Sequence, residues 1–247
     1  MYHKNTGIEK KKIIDQLRAF GIIIDVNSGQ ILGYEKQIKE LHCHSLYLLR
    51  HAETLGTKEK KFMSDTSENA VLTEKGKNDV MRMADIIEKM QFDCVLYSTI
   101  ARVKQTAEII SQYENYCNCY IEVPWMKGID NAGWEGKNVI EFNKEEYEDF
   151  YQREIVHNVF AKSSKGCSWG EVLLRCIELR TFINENFKEK KILLISQGSI
   201  FMGLRIVLGL ESGLWNNYKA EDFFGLAGSL SQSYGKLQYV FGEKITV

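Results

Sequence analysis

Arg50 and His51 directly follow a short apolar stretch, residues 45–49, and Glu53 comes two positions later. The stretch has the composition of a buried β-strand. In an open α/β sheet, ligands bind at the carboxyl ends of the strands. A guanidinium group beside an imidazole at such an edge is suited to holding a phosphoryl group and attacking it. The simpler alternative is a strand whose solvent end is polar, with no chemistry attached.

Two further predicted strands also end in polar side chains. Residues 92–97 lead to Ser98 and then to Arg102, at the start of a helix. Residues 191–195 lead to Gln197. Since the carboxyl ends of parallel strands share one edge of a sheet, we expect these residues to lie near Arg50 and His51.

Phosphoryl transfer needs donors and positive charge around three equatorial oxygens, and a nucleophile in line. Arg50 and Arg102 would supply planar donor groups that suit phosphate. The backbone amides of Gly198 and Ser199, opening a predicted helix, favour an anion. His51 is the candidate nucleophile, because two nearby guanidinium groups keep its ring neutral. Its other nitrogen must then donate to a backbone carbonyl.

Several of these residues have structural alternatives. Arg102 could be a surface arginine, Gln197 a polar strand end that satisfies loop amides, and Ser98 a turn or cap residue.

The Cys-Asn-Cys sequence at 117–119 suggests a metal, but no second ligand pair with zinc-like spacing accompanies it. We therefore predict no metal site.

Strands alternating with helices predict a parallel sheet of βαβ units. The strands are expected at 45–50, 92–97, 120–123 and 191–195, and an antiparallel edge hairpin at 225–240. The helices are expected after the N-cap Thr73, after Arg102, at 170–187 and at 200–208. A polar loop is predicted at 55–69, and helices that cover the site at 137–165.

Residues 1–44 are predicted to be an N-terminal extension of a main domain at 45–247. The extension contains an expected helix at 8–20, a hairpin of strands at 21–25 and 30–34, and a short helix at 35–41. It could pack on the main domain, cover the site or mediate self-association, and the sequence does not choose among these.

The composition predicts a soluble cytoplasmic protein. The net charge is -1, with acidic and basic residues interspersed, so neither nucleic acid nor an acidic membrane is expected as a partner. No apolar stretch approaches the roughly 20 residues that span a bilayer, and the N-terminus lacks the features of a secretory signal. Cys43, Cys94 and Cys176 lie in or beside apolar stretches and are expected to be reduced core thiols.

The motifs together resemble those of the histidine phosphatase superfamily, which has the phosphoglycerate mutase-like fold. Residues 49–54 are similar to its arginine-histidine motif, with Ala52 where glycine is usual. Further stretches that resemble family motifs, in the family's order, are 72–76, 97–108, 133–136 and 193–199. The resemblance covers about residues 45–240. It implies a three-layer α/β/α fold with a mostly parallel central sheet.

The resemblance also implies a function and a set of site residues. The activity would be phosphoryl hydrolysis or transfer on a small phosphorylated molecule through a phosphohistidine on His51, without a cofactor. Arg50, Arg102 and Gln197 would hold the phosphoryl group. The residues expected to complete the substrate site are Glu53, Thr54, Ser98, Gly198 and Ser199. Dimers are common in the family, and edge pairing by the tail hairpin would be one route to a homodimer.

Three positions depart from the family pattern. The second catalytic histidine falls on Gln197, the usual acid falls on Gly128, and the glutamate of the glycine-glutamate-serine motif falls on Cys167. Ser168 and Arg175 keep the expected spacing. The functional positions have therefore changed together.

The missing acid has several candidate explanations. Asp130 could replace it, and Glu53 or Glu135 are weaker candidates. A substrate such as an acyl phosphate or a diphosphate would need no acid to release its leaving group. Glutamine at 197 could also have been introduced to trap a complex.

Two other hypotheses stay open beside an atypical phosphohistidine enzyme. One is a degenerate protein that binds a phosphorylated ligand or partner, and the other is a site repurposed for non-hydrolytic chemistry on a phosphorylated substrate.

Overall fold

The fold is known from a computed structural model that describes residues 7–35, 41–67, 70–113, 117, 119–138, 148–209 and 226–227. Within these residues the strands are β1 (Ile22–Ile24), β2 (Ile31–Tyr34), β3 (Ser45–Arg50), β4 (Cys94–Tyr97), β5 (Tyr120–Glu122), β6 (Lys191–Ser196) and β7 (Leu226–Ala227). The α-helices are α1 (Gly7–Phe20), α2 (Leu55–Lys58), α3 (Glu74–Met90), α4 (Ala101–Ser111), α5 (Glu148–Phe150), α6 (Trp169–Asn186) and α7 (Gly198–Val207).

The main sheet has the strand order β5-β4-β6-β3-β7. Strands β5, β4, β6 and β3 are parallel to their neighbours, and β7 is antiparallel to β3. Arg50 lies opposite Ser196, and Tyr97 lies opposite Ile195, so the ends of three strands meet at one edge. The predicted parallel sheet is confirmed. Of the predicted tail hairpin, only the two residues of β7 fall within the described residues.

The side chains of the strands alternate between two apolar layers, as a period of two requires. Leu46, Leu48 and Leu194 belong to a cluster that includes residues of α1, α6 and α7. Leu49 and Leu193 point to the other face, where they pack with residues of α3 and α4. The predicted three-layer α/β/α architecture is confirmed.

The helix starts follow local capping signals. Thr73 caps α3, its side chain accepting from the N–H of Gly76, as predicted. Ser168 caps α6 and forms a capping box with Glu171. The inward positions predicted for α6 are buried: Val172, Leu173, Cys176, Leu179 and Ile183.

The helix and hairpin predicted for the N-terminal extension are present as α1, β1 and β2. Ile13 and Leu17 of α1 are buried in the same core cluster as residues of α6. A Cβ atom built on Gly170 would lie 2.8 Å from Cγ2 of Ile13, so α1 packs closely on the main domain. Residues 36–40 of the predicted short helix lie outside the described residues, and the boundary at residue 44 stays a prediction.

Two predicted segments differ from the structure. The predicted loop at 55–69 contains the helix α2, because Thr54 and Thr57 form a capping box there. The predicted covering helices at 137–165 are reduced, in the described part, to the three residues of α5 and a π-helical turn at Tyr151–Ile155.

The predicted core thiols Cys43, Cys94 and Cys176 are buried and unpaired by disulfides. None of the helices in the described part of the chain is long and apolar enough to cross a bilayer.

Candidate active site

His51 lies at the carboxyl end of β3, beside the end of β6. Its backbone N–H donates to the carbonyl of Ser196 at 3.2 Å. Its side chain is only 5% exposed. The central parallel pairing therefore places the imidazole at the edge of the sheet predicted from the sequence.

The ring of His51 is held as one tautomer. Nδ1 lies 2.9 Å from the carbonyl oxygen of Ala52. Since a carbonyl only accepts, the hydrogen must be on Nδ1, and the lone pair on Nε2 is available. This confirms the predicted hydrogen bond. Burial first, and then the charges of Arg102 and Arg50, hold the pKa of His51 well below its usual value. The ring is therefore neutral at neutral pH.

Arg102 and Gln197 come from different elements and converge on the carboxylate of Asp65. Nη2 of Arg102 donates to Oδ1 of Asp65 at 3.2 Å, and Nε2 of Gln197 donates to the same oxygen at 3.2 Å. Arg102 and Gln197 are each 5% exposed, so Arg102 is not the surface arginine of the simpler alternative. Burial lowers the pKa of Arg102, and the charge of Asp65 opposes that shift.

Asp65, which lies in the polar segment after α2, was not predicted from the sequence. This segment is anchored by Phe62, whose ring makes edge contacts with Trp134 and Phe150 at centroid distances of 5.4 and 5.8 Å. The carbonyl of Phe62 accepts from the N–H of Gly136 at 2.8 Å. Ser64 donates to Glu135 at 2.9 Å. The only sequence signal for a role was the length of the polar segment.

The amide of Gln197 is oriented by a loop. Its Oε1 accepts from the backbone N–H of Gly128 at 2.5 Å, so its nitrogen faces Asp65. A Cβ atom on residue 128 would lie 2.2 Å from that oxygen and 2.3 Å from Oγ of Ser199. Gln197 therefore satisfies a loop amide, as one alternative predicted, and also presents its donor to the site.

Ser199 and Arg175 hold the same loop. Oγ of Ser199 accepts from the N–H of Ile129 at 2.9 Å. Nη1 of Arg175 donates to the carbonyl of Gly128 at 3.3 Å. The loop that ends at Asp130 is thus fixed from both α7 and α6.

Cys167 completes this support. Its Sγ accepts from the N–H of Asp130 at 3.2 Å and from Nη2 of Arg175 at 3.1 Å. The three departures from the family pattern therefore lie together. Gly128 is part of the loop, and Cys167 and Gln197 contact it. Each of these substitutions is part of the same local structure.

Asp130 lies beside Asp65. Burial first, and then the charge of Asp65, raise the pKa of Asp130. The backbone N–H groups of Ala132 and Asp65 and the charge of Arg102 oppose the shift. A carboxyl group with a raised pKa is suited to donating a proton.

Arg153 supports the turn after Asp130 and was not anticipated from the sequence. Its guanidinium group lies 4.1 Å from the centre of the Trp134 ring, and its Nη2 donates to Oδ1 of Asn131 at 2.6 Å. Trp134 closes a 3₁₀ turn at Ala132–Trp134, and the following Gly136 has a φ of +76°, which favours glycine. The family-like Trp-Glu-Gly motif is therefore a turn whose tryptophan is buried, while Glu135 and Gly136 are exposed.

Three further residues predicted for the substrate site lie in different local environments. The side chain of Thr54 caps α2, and Oε1 of Glu53 accepts from Oγ1 of Thr73 at 2.8 Å. Ser98 is fully buried and does not cap α4, whose N-cap is Ile100. Contact of Thr54, Glu53 and Ser98 with a substrate stays a prediction.

Arg50 and Gly198 adjoin at the predicted edge. A Cβ atom built on Gly198 would lie 3.9 Å from Nε of Arg50, which places this guanidinium group at the start of α7. Gly198 is the first residue of that ten-residue helix, as predicted. Among the residues that the structure describes, no group of three or more histidine, cysteine or acidic side chains is placed to hold a metal ion.

Comparison with known proteins agrees with this geometry. The chain matches the model of the histidine phosphatase superfamily, branch 1, over residues 46–222. This match covers more than half of the chain, and the chain belongs to that superfamily.

A protein of Escherichia fergusonii named "Probable phosphoglycerate mutase GpmB" is 27% identical over 113 residues, which are 45% of this chain and 49% of that protein. The chain thus spans about half the length of the curated relatives it matches first. YhfR of Bacillus stearothermophilus superposes with a TM-score of 0.61 at 22% identity, covering 82% of this chain and 98% of that one. A mutant phosphoserine phosphatase of Entamoeba histolytica, solved with phosphoserine, gives a TM-score of 0.58 at 23% identity, covering 74% and 89%. At these identities the structural likeness establishes the fold.

Proposed function

We propose that this chain is a phosphoryl hydrolase or transferase that acts on a small phosphorylated metabolite through a phosphohistidine intermediate on His51. The observation that carries the proposal is the state of that ring. It is buried, its Nδ1–H is bound to the carbonyl of Ala52, and its pKa is lowered. A neutral imidazole with an available lone pair is a nucleophile, whereas an imidazolium is not.

In the first step, Nε2 of His51 attacks the phosphorus in line with the leaving group. The N–P bond forms as the P–O bond breaks, and the leaving oxygen takes a proton from Asp130. Arg50, Arg102 and Gln197 hold the equatorial oxygens, and the backbone amides at the start of α7 add donors. The raised pKa of Asp130 supports its part as the acid.

In the second step, water attacks the phosphorus and the N–P bond breaks. The proton of the water passes to the Asp130 carboxylate, and inorganic phosphate leaves with His51 restored. In a transferase, the hydroxyl of an acceptor replaces the water. The same carboxyl group thus acts as acid in one step and as base in the next.

The site works with a neutral donor at position 197. A neutral hydrogen bond to a phosphoryl oxygen gives roughly half of what a charged one gives, a loss on the order of 1–2 kcal/mol. This corresponds to about tenfold in rate. Loss of the acid would be larger, about 10²–10⁴-fold for an alkoxide leaving group. Asp130 therefore matters more to turnover than the glutamine does.

The ligands bound in similar solved structures support a small phosphorylated molecule as the substrate. Structures of the Entamoeba histolytica phosphoserine phosphatase contain phosphoserine or 3-phosphoglyceric acid, both small phosphorylated molecules. We propose a substrate of that general class for this chain.

Phosphate release tests the proposal. The panel would contain phosphomonoesters, acyl phosphates and diphosphates, and would compare the unaltered chain with His51→Ala and with His44→Ala. His44 is exposed near the opposite end of β3 and is a matched control. We expect turnover to vanish in His51→Ala and to persist in His44→Ala. Turnover that survives in His51→Ala would overturn the phosphohistidine mechanism.

A second candidate, a phosphorylated-ligand binding protein without turnover, is favoured by one contact. Oε1 of Gln197 is held by the N–H of Gly128, and a Cβ atom at position 128 would lie 2.2 Å from that oxygen. The histidine and the acid of the family pattern are thus both absent from this place. This candidate predicts calorimetric binding of phosphomonoesters with no phosphate release from any member of the panel.

A further inference from the structure

We infer that the carboxylate of Asp65 is an internal anion that occupies a phosphoryl-oxygen position of the pocket and limits its affinity, so that a phosphorylated ligand must displace it. The inference rests on the proposed role of Arg102 and Gln197 as phosphoryl-binding residues. It makes Asp65 the residue that sets the affinity of the pocket.

Two hydrogen-bond donors from separate elements converge in the proposed pocket. Arg102 lies on α4 and Gln197 precedes α7, yet their donors meet at one atom, Oδ1 of Asp65, each at 3.2 Å. A point at which two donors from separate elements converge is a binding position for an anionic oxygen. In this structure a carboxylate oxygen of the chain itself lies at that point.

The amide of Gln197 has a fixed orientation. Its Oε1 is bound to the N–H of Gly128, so Nε2 is the one donor atom that it offers to the site. That nitrogen faces Asp65. A phosphoryl oxygen that binds Gln197 must approach the nitrogen that now binds the carboxylate.

The proposed phosphoryl pocket is closed to solvent in this structure. His51, Arg102 and Gln197 are each 5% exposed, although the proposed reaction needs a phosphoryl group in contact with all three. Nη1 of Arg102 is buried and makes no hydrogen bond to the residues that the structure describes. The guanidinium group therefore keeps an unused donor, and the space beside it must open for a ligand to reach it.

The segment that carries Asp65 can change without loss of a helix or strand. Its anchors include Phe62 and Ser64, which contact the Trp-Glu-Gly turn, and the backbone N–H of Asp65, which is bound to the Asp130 carboxyl group. Asp65 follows these anchors and lies in a turn outside the helices and strands. Rotation of its side chain or a small shift of the turn frees both donors. A phosphoryl group, with three acceptor oxygens, then replaces the single carboxylate oxygen.

Calorimetric titration with inorganic phosphate and with orthovanadate tests the inference on the full chain. The first variant is Asp65→Asn, which keeps the shape of the side chain and removes its charge. The second is Asp65→Ala, which removes the whole polar group. Glu74→Gln is the charge-matched control, because Glu74 is an exposed carboxylate in the first turn of α3. We expect both Asp65 variants to bind at least about tenfold more tightly than the unaltered chain, which is about 1.4 kcal/mol. The control is expected to bind like the unaltered chain.

Other outcomes separate the inference from the proposed function. Equal affinity in the unaltered chain and the Asp65 variants would overturn the inference and leave the phosphoryl pocket in place. Weaker binding in variants that keep the urea midpoint of the unaltered chain would overturn it too, because Asp65 would then position the donors. An absence of binding in all the proteins would overturn both the inference and the proposed pocket.

Discussion

The backbone N–H of Gly128 donates to Oε1 of Gln197, and the two atoms lie 2.5 Å apart. The glutamine side chain occupies the space that a side chain at position 128 would need. By resemblance, the family has a catalytic histidine at 197 and an acid at 128. The two departures are therefore one structural change, in which each residue fits the other.

Replacement of Gly128 by alanine is expected to destabilise the chain. The added Cβ atom would lie 2.2 Å from Oε1 of Gln197 and 2.3 Å from Oγ of Ser199, so both side chains must move. Overpacking of this kind costs about 1–3 kcal/mol. Urea denaturation would measure the loss in the free energy of unfolding.

Gly7→Ala is the matched control, because a Cβ atom on Gly7 meets no atom of the described residues within 4 Å. It is expected to leave the urea midpoint unchanged or slightly raised. A Gly128→Ala chain as stable as the control would contradict the close fit between positions 128 and 197.

The stability of the chain is expected to fall as the solution becomes acidic, in part because of His51. Burial holds the pKa of folded His51 well below its usual value of 6.5. Below pH 6.5 the unfolded chain binds a proton that the folded ring does not, so the free energy of unfolding decreases with falling pH. The slope from this one group reaches about 1.4 kcal/mol per pH unit.

Urea denaturation between about pH 8 and pH 5 checks this sign, since the range brackets the ordinary histidine pKa of about 6.5. His51→Gln is expected to show a shallower decline than the unaltered chain, and His44→Gln the same decline. The pKa of His157 is also lowered by burial, and its contribution remains in both variants. Identical pH profiles for His51→Gln and the unaltered chain would show that folded His51 is not held neutral.

The effect of Asp130→Asn is expected to depend on the leaving group. For an alkyl phosphomonoester, loss of the acid should lower kcat/KM, which reports the phosphorylation of His51, about 10²–10⁴-fold. For an aryl phosphate with an acidic phenol, the leaving group departs without a proton, so the loss in kcat/KM should be small. For the unaltered chain, turnover of the alkyl ester should fall as pH rises through the raised pKa of Asp130, because the acid form is lost.

Asp85→Asn is the control for Asp130→Asn, because Asp85 is exposed on α3. It should change neither substrate's kcat/KM. An equal loss of kcat/KM for both leaving groups in Asp130→Asn would mean that Asp130 is not the general acid and acts on the shape of the site.

Phe62→Ala is expected to loosen the segment that carries Asp65. The ring packs edge-on against Trp134 and Phe150, and its removal from a buried site should cost about 3 kcal/mol or more. Leu55→Ala is the control, because Leu55 is 37% exposed and should cost far less. Urea midpoints would compare them, and similar midpoints would contradict an anchoring role for Phe62.

The sequence was informative about the elements that local patterns specify. Apolar strands followed by polar residues predicted that Arg50, His51 and Gln197 share one edge of a parallel sheet. The structure adds that β3 and β6 are direct neighbours at that edge. Thr73 and the inward face of α6 were also predictable, because capping and helical spacing are local signals.

The sequence was uninformative where long-range contacts decide the role of a residue. Asp65 meets Arg102 and Gln197, which are 37 and 132 positions away in the chain, and nothing nearby distinguishes it from other acidic residues. Gly128 was noted as a departure from the family pattern, but its cause is the glutamine that lies against it. The helix α2 was missed although its capping pair, Thr54 and Thr57, is visible in the sequence.

The most direct test of the central claim is mass spectrometry of the chain after rapid mixing with a substrate and quenching at alkaline pH, where phosphohistidine survives. The phosphohistidine mechanism predicts a phosphoryl adduct on His51 that acid removes, and no adduct in His51→Ala. His44→Ala should carry the adduct as the unaltered chain does. Phosphate release without any adduct, undiminished in His51→Ala, would contradict the phosphohistidine mechanism.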